Sequence, residues 1–80
     1  SSDLYQSDNN FYRAVGSGVD LDYATARSIA INNALIKIAQ MKNLNNISAI
    51  TSKKILAEKY YARDSVTGAY DYWVAIESPK

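Results

Sequence analysis

Gly16-Ser17-Gly18 and the carboxylates that follow it are the residues of this chain most suggestive of chemistry. Glycines between a strand and a helix can cradle a phosphate on free backbone amides. A dinucleotide fingerprint needs a third glycine at position 21, where Leu21 stands. A P-loop needs Lys followed by Ser or Thr at the helix start, but Asp20 and Asp22 occupy that region and would repel a phosphate. The glycines are therefore expected to form a tight turn that breaks the strand. Asp20 and Asp22 are close enough in sequence to suggest an acid–base pair, and Asp64 and Asp71 flank a second turn. All four sit where Asp serves caps and turns, and no EF-hand spacing is present. Histidine and cysteine are absent, which removes thiolate and imidazole metal ligands, cysteine nucleophiles, Ser-His triads and histidine bases. No catalytic residue, cofactor site or metal site is expected.

Seven tyrosines and Trp73 offer a different chemistry, ring stacking. Nucleic-acid platforms combine exposed rings with basic residues on one sheet face. Here Tyr70 and Tyr72 alternate into one face with Val74 and Ile76, while Trp73 shares the other with Asp71 and Glu77. Those acids disfavour a polyanion, as does a net charge of only +1, so no nucleic-acid partner is expected. Tyr60, Tyr61 and Trp73 remain candidates for stacking on a small ligand or carbohydrate. Asn46-Ile47-Ser48 matches a glycosylation acceptor, a three-residue pattern of low specificity.

These residues must be positioned by one small domain, since 80 residues with 48% apolar and 21% charged side chains suit a single thin-cored globule. Ser1 to Asn10 is polar and is expected to be a flexible linker, with residues 11–80 forming the domain. Phe11 to Ser17 alternates like a strand. Asp20 or Asp22 is positioned to cap a helix over Leu21 to Lys42, which holds neither Gly nor Pro. Its Ala26, Ala30, Ala34, Ile38 and Met41 share one side, widened by Ile31 and Leu35, and small alanines allow close approach to a sheet. Ile29 and Ile36 fall on the opposite side. Ile47 to Ala62 reads as extended, most clearly over Ile55 to Tyr61. Ser65 to Gly68 reads as a hairpin loop and Ala69 to Glu77 as the strongest strand. The expected fold is α+β, strand-helix-strand-strand. One long helix packs on a three-stranded sheet with the third strand central, and Lys53, Lys54 and Lys59 mark the second as an edge.

The run Phe11-Tyr12-Arg13-Ala14-Val15-Gly16-Ser17-Gly18, the helix with Ala26-Arg27, Ala30, Ala34 and Ile38-Ala39, and the closing Gly68 to Glu77 segment together resemble the LPP-twenty family of bacterial lipoproteins. The plan is also similar to that of the N-terminal domain of flagellar assembly protein T. The resemblance implies a periplasmic or outer-membrane-attached envelope domain, tethered through a lipidated cysteine, and carries no catalytic residue across. The chain departs from the family in holding no cysteine and in its short Met41–Ile47 link, where relatives carry a long helical insertion. A tether through that residue would have to lie outside this chain.

On this reading the protein is a non-catalytic envelope module for protein interaction or assembly, not an enzyme. It has no membrane span, and its protein partner or self-association surface includes Trp73, Ile29 and Ile36. The alternative is the aromatic ligand-binding domain described above.

Overall fold

The computed structural model describes residues 2–62 and 65–80. Its elements are β1 (Phe11–Asp20), α1 (Tyr23–Met41), β2 (Lys54–Ala62) and β3 (Tyr70–Pro79), with 3-10 turns at Ser2–Tyr5 and Ile47–Ala49. The strands form one antiparallel sheet in the order β1-β3-β2, so the third strand is central, as expected from the sequence. Asp64, one of the carboxylates considered above, lies outside the described residues.

Helix α1 starts two residues later than its composition suggests, because Asp22 rather than Asp20 is the N-cap. The Asp22 carboxylate accepts from the Thr25 amide at 2.9 Å and from the Thr25 hydroxyl at 2.8 Å. Both bonds, the hydroxyl's first, hold its pKa below the usual carboxylate value. Asp20 instead accepts from the Asp22 amide. Ala26, Ala30, Ala34 and Ile38 face the strands and are fully buried. Met41 does not join them and is exposed; Ala39 takes the buried position near the end of the helix.

Gly16 and Gly18 are not a turn. They lie inside β1, which runs on to Asp20, and neither has positive φ. Their function is steric. A Cβ on Gly16 would overlap the Ala30 carbonyl and stand 2.5 Å from the Ala34 nitrogen; one on Gly18 would lie 2.6 Å from the Ala26 carbonyl. Two glycines thus meet three alanines, and the helix backbone rests directly on the strand. Of the three glycines only Gly68, in the β2–β3 connection, uses the left-handed region, at φ 71°, as Asn43 does after the helix at φ 57°.

Two further boundaries differ from the sequence reading. Extended structure in the second strand begins at Lys54, because Asn46 accepts from the Ser48 amide and caps a 3-10 turn over Ile47–Ala49. The third strand continues to Pro79, since Ser78 is fully buried and its hydroxyl donates to the Ser52 carbonyl at 2.7 Å. The core is Tyr72, Val74 and Ile76 of β3 beneath the helical alanines, Leu35 and Ile38, closed by Ile50.

Candidate functional site

The two margins of the sheet are built differently. At the β1 margin, outward carbonyls are taken by side chains. Lys37 Nζ donates to the Val15 carbonyl at 2.7 Å, and Asn33 Nδ2 to the Ser17 carbonyl at 2.7 Å. Residues 33 and 37 lie one helical turn apart, matching alternate carbonyls along the strand. The glycine–alanine seam brings α1 near enough for these short reaches. Further along, Ser7 Oγ accepts from the Arg13 amide at 3.0 Å, and the Asp8 amide donates to the Phe11 carbonyl at 3.0 Å.

The segment expected as a flexible linker therefore carries specific contacts. Asp8 accepts from the amides of Asn10 and Phe11 and pairs with Arg13 at 2.8 Å. The amide bonds, ahead of the arginine, hold its pKa below the carboxylate norm. Arg13 also meets Glu77 at 3.0 Å. A cleft of about 360 Å³ lies between this segment, β1 and α1, but its two cations, Arg13 and Lys37, are already engaged as described.

The outward groups of β1 belong to Phe11, Arg13, Val15 and Ser17, so Ala14, Gly16 and Gly18 bond inward to β3. By the same alternation Asp71, Trp73 and Ala75 turn toward β2, meeting Tyr61, Lys59 and Ala57. The outward backbone of β2 is then that of Glu58, Tyr60 and Ala62. Among the described residues no hydrogen bond reaches those backbone groups. The helix packs on β1 and β3 and leaves the β2 margin uncovered.

Only side chains bridge helix and β2. Arg27 Nε donates to Glu58 Oε1 at 2.9 Å, and the buried Tyr72 hydroxyl donates to the same oxygen. Arg27, then Tyr72, hold the Glu58 pKa down; burial, then the bond to Glu58, push that of Tyr72 up. Each group is thereby fixed in the protonation state it has near neutral pH, which is the opposite of what proton transfer requires. Beside them Tyr23 stands edge-on to Tyr60, Tyr70 and Tyr72, with ring centroids 4.7, 5.8 and 5.5 Å away. Tyr60 stacks on Tyr72 at 6.0 Å and remains about half exposed, at 52%. The result is an aromatic shelf beside unpaired backbone.

The candidate interface residues do not converge. Trp73 lies on the face away from the helix, half-buried beneath Tyr5 (centroids 5.6 Å apart) and the Lys59 ammonium at 5.1 Å. Ile29 is half-buried against β1 beside Gly18, and Ile36 is exposed on the helix. The stacking trio separates too: Tyr60 faces the helix side, whereas Tyr61, bonded to Asp71, shares the outer face with Trp73. The composition of β2 gave some sign of its exposure, but the tyrosine cluster needs Tyr23, which is distant in sequence from Tyr60, Tyr70 and Tyr72. Among the described residues no three metal-ligating side chains cluster, and no helix is long and apolar enough to cross a membrane.

The site and fold define a one-helix, three-strand α+β domain in which side chains cap the Val15 and Ser17 carbonyls at one sheet margin and, among the described residues, none cap the outward backbone at the other. No protein-family model, curated protein or solved structure matches the chain.

Proposed function

We propose that this chain is a non-catalytic protein-interaction domain that binds by extending its sheet at β2. The observation that carries the reading is the contrast between margins: side chains cap the Val15 and Ser17 carbonyls of β1, while among the described residues the backbone of Glu58, Tyr60 and Ala62 meets no partner. Edge strands are normally blunted, so an unblunted stretch beside exposed aromatic rings favours use over neglect. The resemblance to envelope lipoproteins supports placing this activity in the bacterial cell envelope.

Photo-crosslinking in producing cells tests the proposal. A photoreactive phenylalanine analogue at position 60 is expected to give discrete protein adducts, and the same residue at position 36 none. Absence of adducts at position 60 would overturn the interaction-domain reading.

A further inference from the structure

Resting on that reading, we infer that the β2 margin pairs with a second copy of this chain, antiparallel, about a two-fold axis at Tyr60. The side chains favour this register over those centred on Glu58 or Leu56. A two-fold axis normal to the sheet keeps each face on its own side, so residues of like parity must oppose one another. Centring on Glu58 sets two carboxylates face to face. Centring on Leu56 runs through the irregularity between Ile55 and Ala57, where alternation is broken, and sets Lys53 opposite Lys59.

Centring on Tyr60 meets neither obstacle. Tyr60 then opposes its own copy, Glu58 opposes Ala62, and Lys59 opposes Tyr61. Aromatic pairing and a cation beside a ring are favourable cross-strand contacts. The outward groups of Glu58, Tyr60 and Ala62 exchange about six main-chain hydrogen bonds in this register. Of the residues that blunt an edge, Lys53, Lys54 and the bulge sit at the other end of β2, while Lys59, within the pairing stretch, rests its ammonium over the Trp73 ring on the outer face. A net charge of +1 opposes the approach of two copies very little. The joined strands place Tyr23 and Tyr60 of both copies along one continuous aromatic shelf.

The absence of cysteine makes the test clean, since any introduced thiol is unique. Facing residues of an antiparallel pair lie within disulfide reach, roughly 5.5 Å between Cα atoms. Under mild oxidation Tyr60→Cys is expected to form a covalent dimer, as is a mixture of Lys59→Cys with Tyr61→Cys. Ala62→Cys alone is not, because its copies stand about four residues apart along the strand. Sedimentation of the unmodified chain should show reversible dimers with a dissociation constant on the order of 10–100 µM, suited to an interface below standard size. Tyr60→Lys, with unchanged circular dichroism, should weaken this at least about tenfold by placing like charges on the axis.

A strict monomer at about 500 µM, or dimers that link through Ala62→Cys but not Tyr60→Cys, would overturn self-pairing. If photo-adducts at position 60 then contain a different protein, the interaction-domain reading survives. If there are none, both fail.

Discussion

The margins of this sheet carry similar backbones and opposite treatment. At β1, two glycines draw the helix close, and Asn33 and Lys37 are thereby delivered to the Ser17 and Val15 carbonyls. At β2, the helix is too far away to cover the strand, and Arg27 reaches across to Glu58 while no described residue bonds the outer backbone. What closes an edge here is therefore the helix's lateral position. That position is set by the residues that can tolerate contact, Gly16 and Gly18 against Ala26, Ala30 and Ala34.

Breaking that seam should have the largest effect. Gly16→Ala forces a methyl into the Ala30 carbonyl and Ala34 nitrogen, which are backbone and cannot rotate away. The cost should reach about 3 kcal/mol, near the upper end for overpacking, and appear as a large fall in the denaturation midpoint. A midpoint unchanged by the substitution would mean the helix does not rest on β1.

Next comes Tyr72→Phe, expected to cost about 1–2 kcal/mol through the lost bond to the Glu58 carboxylate. The sign of its pH dependence is fixed. Folding raises the Tyr72 pKa, so its contribution is complete below the ordinary tyrosine value of about 10 and is lost as pH rises through the folded value. Glu58, Asp22 and Asp8 are depressed, so theirs is complete above the ordinary carboxylate range, about 4, and is lost as pH falls through the folded values. Chemical denaturation across pH should show losses at both ends, with Tyr72→Phe removing the alkaline one and reducing only the Glu58 share of the acidic one. Retention of the full alkaline loss would assign it to another group.

A smaller change should sharpen the contrast. Asn33→Leu with Lys37→Met removes both caps and should cost about 1 kcal/mol, since the bonds are exposed. It should also give the chain a second sticky margin, detectable as disulfide-linked dimers when Val15→Cys is added. Smallest of all is Ile36→Ser, expected to stay within about 0.5 kcal/mol because the side chain is exposed.

The order of elements and the central third strand were legible because hydrophobic period and turn chemistry are local signals, and alanines at four-residue spacing announced a close helix. The glycines were misread for a physical reason. A glycine permitting positive φ and one permitting close approach look the same in sequence, and only the partner surface distinguishes them. The third strand likewise reads as ending at Glu77, because the partner that holds Ser78, the Ser52 carbonyl, belongs to a distant loop. The expected interface residues, Trp73 on the outer sheet face and Ile29 and Ile36 on the helix, lie on separate surfaces, and Ile29 packs against β1 because helix rotation turns it toward Gly18. The aromatic shelf depends on Tyr23 meeting residues from both strands of the later hairpin, a contact that no local pattern encodes.

Amide hydrogen exchange at increasing protein concentration tests the difference between the margins most directly. The amides of Glu58, Tyr60 and Ala62 should exchange rapidly in dilute solution and gain protection as the concentration passes about 10–100 µM. Those of Val15 and Ser17, beside capped carbonyls, should not respond to concentration. Protection that grows at β1, or at neither margin, would contradict the account.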